Sequence, residues 1–141
     1  LREGRGRLYY ANGMVYDGEF KEGKMHGPGL MYFKNGKLCY NGEFRDDKFH
    51  GKGELHNEEP TTLDGPFDYR DFNKVENYWM RYEGDFKADM KNGIGTLYLI
   101  NGEKFYGEFK DDKIHGKGCF YLLDGSGISG YWENNELRET Y

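Results

Sequence analysis

A fixed period constrains this chain more than any other feature. Written from a common position, four stretches repeat one another: Tyr16 to Gly36 (YDGEFKEGKMHGPGLMYFKNG), Tyr40 to Asn57 (YNGEFRDDKFHGKGELHN), Tyr82 to Gly102 (YEGDFKADMKNGIGTLYLING) and Phe105 to Gly125 (FYGEFKDDKIHGKGCFYLLDG). Partial units flank them at Gly4 to Gly13 and at Ile128 to Glu136. Central glycines fall at positions 18, 42, 84, 107 and 130, so the steps are 24, 42, 23 and 23, and residues 58–81 interrupt the array. In such an architecture each unit buries its apolar surface against its neighbour. Residues 1–141 therefore read as one repeat domain.

Inside each unit the side chains alternate. Tyr16, Gly18 and Phe20 share one face, while Asp17, Glu19 and Lys21 share the other. The second piece behaves alike, with Gly29, Met31 and Phe33 on its apolar face. These pieces are too short for helices and fit half-exposed antiparallel strands. Asn12-Gly13, Asn35-Gly36, Asn101-Gly102 and Asp124-Gly125 lie between units. Such dipeptides tolerate positive φ at both central positions, as type I′ turns require, so tight hairpins are expected there. Longer loops such as Lys21 to Gly27 are expected within units. The expected fold is all-β: a single open, strongly twisted antiparallel sheet, a meander of about ten strands. Gly18, between Tyr16 and Phe20, leaves bare backbone over which a ring from a neighbouring strand can lie.

Composition sets the kind of core and partner. Only 36% of residues are apolar, but 18% are aromatic and 22 are glycine, so rings must supply much of the burial. A net charge of −5 argues against nonspecific nucleic-acid binding and against simple attraction to an anionic membrane. Two cysteines without a CxxC pair point to reduced thiols in a cytosolic setting. No apolar run approaches the about 20 residues of a membrane span, and the first residues do not read as a signal peptide.

These units resemble the MORN repeat, which has the form Y-x-G-x-F/W, then H/N-G-x-G, then an x-N-G turn. The resemblance covers about residues 4–57 and 75–136. It implies an elongated sheet of β-hairpins and a scaffold rather than an enzyme, found at cytoskeletal and ciliary structures and membrane junctions. The family is also associated with phospholipid binding. The chain departs from the pattern in the insertion at 58–81, in Phe105 where Tyr is usual, and in Ile128 of the last partial unit.

The remaining motifs point away from catalysis. His26, His50 and His115 recur at one position, but Asn92 takes the fourth place. Asn replaces a hydrogen-bonding His and is a poor transition-metal ligand, so turn stabilisation is expected and no metal. Glu19, Glu43, Asp85 and Glu108 are each followed two residues later by Lys21, Arg45, Lys87 or Lys110, which reads as a solvated ladder of charge pairs. Such identical positions lack the asymmetry that acid/base chemistry needs. Gly18 to Met25 nearly spells a phosphate-binding loop, but Met25 replaces the required hydroxyl. No cofactor is expected.

The insertion carries Pro60, Asp64-Gly65-Pro66 and the rings of Phe67, Tyr69, Phe72, Tyr78 and Trp79. A short helix after Asp68, with Tyr69, Phe72, Val75 and Trp79 on one face, competes with an extended loop. Its rings either cap the sheet or bind a partner. The expected role is a protein-interaction scaffold of a cytoplasmic cytoskeletal or ciliary assembly. An extended segment or helix is expected along Tyr16, Phe20, Tyr40, Phe44, Tyr82, Phe86, Phe109 and Trp132, with Phe67, Tyr69, Phe72 and Trp79 contributed by the insertion. Sheet edges offer pairing with the same or another chain, and an array that starts and stops mid-unit suggests longer arrays or dimers. The alternative is a peripheral membrane tether holding phospholipid head groups through Lys21, Lys24, Lys110, Lys113 and Lys117.

Overall fold

A computed structural model describes residues 1–141. Its strands are β1 (Gly4–Tyr9), β2 (Val15–Lys21), β3 (Lys24–Tyr32), β4 (Leu38–Arg45), β5 (Lys48–His56), β6 (Trp79–Lys87), β7 (Met90–Leu99), β8 (Lys104–Lys110), β9 (Lys113–Tyr121), β10 (Gly127–Glu133) and β11 (Glu136–Thr140). They form one antiparallel sheet in chain order from β1 to β11, and the two end strands do not pair, so the sheet is open. The all-β meander expected from the period is present. It has an eleventh strand, because Asn134-Asn135 makes another hairpin turn after β10.

The turns differ from the expectation. Only the glycine of each inter-unit dipeptide has positive φ, 93° at Gly13 and 88° at Gly36, so these are not type I′ turns. The Gly13 N–H donates to the Tyr10 carbonyl at 3.0 Å and the Tyr10 N–H to the Met14 carbonyl at 2.9 Å, which makes a three-residue loop ending in a left-handed glycine. Asn12 serves through its side chain, since Oδ1 accepts the Met14 N–H. Asn35, Asn101 and Asp124 repeat that bond.

Type I′ turns lie inside the units instead, with φ of 52° and 80° at Glu22-Gly23, 49° and 69° at Asp46-Asp47, 49° and 72° at Ala88-Asp89, and 48° and 70° at Asp111-Asp112. Positive φ is unfavourable for Ala and Asp alone. Each turn is held by its predecessor: the Asp47 N–H donates to the Met25 carbonyl, and Asp47 Oδ1 accepts the Met25 N–H at 2.8 Å. Asp89 clasps Phe49, Asp112 clasps Lys91 and Asn135 clasps Ile114 in the same way.

The core is a file of rings seated on glycines. A Cβ on Gly29 would lie 2.6 Å from Tyr16 Cε1, so only glycine admits the ring. The ring over Gly18 comes from its own strand, two residues earlier, rather than from a neighbouring one. There the Tyr16 hydroxyl donates to the Glu19 carbonyl at 2.7 Å. Tyr40 and Tyr82 make the same bond, and Phe105 takes the same seat without a hydroxyl. Edge-to-face contacts link successive units at ring-centroid distances of 4.9 Å for Tyr16–Phe44, 5.4 Å for Tyr40–Phe86, 5.0 Å for Tyr82–Phe109 and 5.0 Å for Phe105–Trp132. Each such pair adds roughly 0.5–1.5 kcal/mol beyond its burial.

Candidate functional site

Tyr16, Phe20, Tyr40, Phe44, Tyr82, Phe86, Phe109 and Trp132 are all brought to this one aromatic file, and none is more than 5% exposed. In β1 to β5 the surface above them consists of Leu8, Tyr10, Met14, Phe33, Phe49 and Leu55, all half-buried. Phe49 stacks on Tyr40 at 4.0 Å, and the Arg2 guanidinium lies 4.8 Å from the Phe20 ring centre. This half is a single layer with an apolar upper surface.

The other half has a second layer. The insertion leaves the sheet through a paired neck, in which the Asn57 N–H donates to the Met80 carbonyl and the Thr61 N–H to the Asn77 carbonyl. It then runs as a strap over β8 to β11. Phe72 is 2% exposed and stands edge-on to Phe105 at 5.6 Å and to Phe120 at 5.9 Å. Phe67 is buried beside it, and Tyr69 stacks on Phe120 at 5.4 Å. Trp79, at the start of β6, is half-buried. Polar contacts fix the course of the strap: Trp132 Nε1 donates to the Tyr69 carbonyl, and Glu103 Oε1 accepts the Phe67 N–H at 2.8 Å. Glu103 is only 1% exposed, and Asn101 Nδ2 also donates to it at 2.7 Å.

Of the two conformations open for the insertion, the structure shows an extended path with one 3₁₀ turn, Phe72–Lys74, whose start is capped by the Asp71 carboxylate. Four residues that fit a helical face are thus spread over different surroundings. The strap also reaches the last strand: the Phe72 N–H donates to the Asn135 carbonyl and the Leu137 N–H to the Arg70 carbonyl. It therefore covers the start of the outer edge of β11, whereas β1 has no strand on its outer side.

Recurrent polar residues support turns and bulges. His115 Nδ1 accepts the Asn134 N–H at 3.2 Å, and Asn92 Oδ1 accepts the Asp111 N–H at 3.3 Å, one task shared by two residue types. The expected charge pairs within each strand do not form. Glu43, Asp85 and Glu108 instead accept the backbone N–H groups of Lys52, Ile94 and Lys117 on the adjacent strand. The cause is a bulge at Gly51, Gly93 and Gly116, each with positive φ, which turns the next N–H toward the carboxylate. In the first full unit the equivalent residue is Pro28, which has no N–H, so Glu19 has no such bond.

Two features escaped the sequence reading. Lys91 occupies the slot filled by Met25, Phe49 and Ile114, because Met90-Lys91 reverses the usual order. Its Nζ lies 5.5 Å from the Trp79 ring centre and 5.6 Å from that of Tyr82, with Asp112 at 3.9 Å. Burial pushes its pKa down, against the pull of Asp112. A cavity of about 120 Å³ adjoins it, lined by Phe72, Trp79, Phe109 and Ile114 among others. Second, Lys24, Arg45, Lys48 and Lys87 surround one depression with His50 and Asp46. None of these four cations has a carboxylate within ion-pair distance.

A family model described as MORN repeat matches residues 1–15, 16–37, 40–57, 82–104 and 105–127. No curated protein matches the chain.

Proposed function

Because this chain belongs to the MORN-repeat family, whose units are protein- and membrane-interaction modules, we propose that it is a non-enzymatic scaffold holding a protein segment along its aromatic face. One observation carries the reading: the same repeated surface is covered by the chain's own strap in one half and bare in the other. A partner lying as an extended segment or helix meets Leu8, Tyr10, Phe33, Phe49 and Leu55, with Tyr16, Phe20, Tyr40 and Phe44 as the floor beneath. Tyr82 and Phe86 continue that floor toward the strapped half, where Phe109, Trp132, Phe67, Tyr69, Phe72 and Trp79 close it. A cytoplasmic cytoskeletal or ciliary assembly is the setting we propose.

The test is recovery of partners by the intact chain and by Phe33→Lys and Leu55→Lys variants, with Tyr106→Asp on the opposite, exposed face as control. Circular dichroism confirms that each variant folds. The lysine variants are expected to lose partners that the control retains; equal recovery by all three sinks the reading. A second reading, a membrane tether, draws on the exposed side chains of Lys21, Lys24, Lys110, Lys113 and Lys117. Salt-sensitive sedimentation with vesicles of anionic phospholipid supports it, and absence of sedimentation at low salt removes it.

A further inference from the structure

We infer that the segment taken by the open half is acidic and aromatic, of the chemistry that the chain lays over its other half; this rests on the scaffold reading. The strap is a worked example of how a MORN sheet is covered. Phe67, Tyr69 and Phe72 rest among Phe105, Phe120 and Trp132. In the open half the equivalent positions are Tyr16, Met31 and Phe44. Tyr16–Phe44 stands at 4.9 Å and 81°, against 5.0 Å and 79° for Phe105–Trp132, so this ring pair has the same geometry in both floors, with the thioether of Met31 in the place of the Phe120 ring. A segment with rings spaced as in Phe67-Asp68-Tyr69-Arg70-Asp71-Phe72 therefore has a matching surface.

Charge decides the rest of the segment. Residues 1–57 hold 10 Lys and Arg against 8 Asp and Glu, a net +2 in a chain of −5. Residues 58–78 hold 2 against 6, and residues 79–141 hold 8 against 11. The open half is the only positive part, and the strap is the most acidic for its length. Cations also flank the open half on both sides. On the type I′ side are Lys24, Arg45, Lys48 and Lys87, where Ala88 breaks the run of acidic first turn residues Glu22, Asp46 and Asp111. On the other side Lys37 stands in the turn position that Glu103 holds under the strap. A carboxylate that receives a backbone N–H is there replaced by an ammonium that receives an acidic side chain.

A labelled peptide of residues 62–76 (TLDGPFDYRDFNKVE), added to the intact chain and followed by anisotropy and NMR, tests this. Saturable binding that shifts Tyr10, Phe33 and Phe49 signals, and leaves those of Phe72 in place, is expected. Affinity should fall about tenfold or more when Asp64, Asp68 and Asp71 of the peptide become Lys, and likewise for the R45E/K48E chain. It should also fall when Phe67, Tyr69 and Phe72 of the peptide become Ser. Equal binding of the parent and charge-reversed peptides overturns the inference and leaves the scaffold reading intact. No binding, or shifts confined to β8 to β11, overturns it too, and the scaffold reading then rests on its own partner-recovery experiment.

Discussion

In β1 to β5 the rings of Tyr16, Tyr40 and Phe44 are covered only by side chains of their own sheet, Phe49 and Met25 among them, whereas in β8 to β10 Phe105, Phe120 and Trp132 lie beneath a strap of main chain. Both halves bury their rings almost completely. The difference teaches that seating a ring on glycine, under side chains of the same sheet, dries the floor of a one-layer sheet, so the second layer of main chain is an addition rather than a requirement. Repeat arrays also respond locally, since each unit touches only its neighbours. The two halves can therefore be perturbed apart.

The largest separation is expected in alkali. Burial pushes the Tyr16 hydroxyl up to about 12 from 10.0 and the Cys39 thiol up to about 11 from 9.0; Tyr40 and Tyr82 are pushed up as well. For groups with raised folded pKa values, the stabilisation is complete below the unfolded values and is lost as pH rises through the folded ones. Most of these groups lie in the open half, and the strapped half has Phe105 in the tyrosine seat. Far-UV dichroism should therefore decay before the emission of Trp79 and Trp132, which report the strapped half. Coincident loss contradicts local behaviour.

Phe72→Ala removes the strap's central ring and should cost about 3–5 kcal/mol in denaturant unfolding. Amide exchange should rise in β8 to β11 and not in β1 to β4; a uniform rise means the halves are coupled. Lys91→Met restores the apolar slot that Met25 fills in the open half, and a gain of about 1 kcal/mol is expected. With its folded pKa depressed, charged Lys91 is a liability throughout neutral pH, so the gain should disappear above the unfolded value of 10.5. Asp47→Ala and Asp112→Ala break equivalent clasps in the two halves, and each should lower stability by about 1 kcal/mol. A twofold inequality between them shows that the strap also steadies the turns.

Much of this was legible in sequence because period and alternation depend on local chemistry. The strands, the aromatic face and the unit boundaries follow from Tyr16-x-Gly18-x-Phe20 and its copies. The turns were misassigned where tertiary bonds override local preference. Nothing in Ala88-Asp89 announces positive φ, which depends on Phe49, 40 residues earlier along the chain, donating its N–H to Asp89. The strap stayed open between a short helix and an extended loop for a related reason. Tyr69, Phe72, Val75 and Trp79 satisfy helical spacing, but Glu103 and Trp132, distant in sequence, bond the backbone of Phe67 and Tyr69 and draw it out straight. Glu103 itself carries no signal beyond standing after an Asn-Gly pair.

The clasps between successive turns give the chain a direction in time. The acceptor that completes the turn of one unit belongs to the next unit: Asp47 finishes Met25, Asp89 finishes Phe49, Asp112 finishes Lys91 and Asn135 finishes Ile114. On a ribosome the amino end emerges first, so every unit waits for its successor before its last backbone donor is satisfied. Growth is vectorial, with one unfinished turn at the leading end. The Asn134-Asn135 turn and the strand after it are gripped by the main chain of Phe72 and Arg70, so there a segment synthesised earlier supplies the hold.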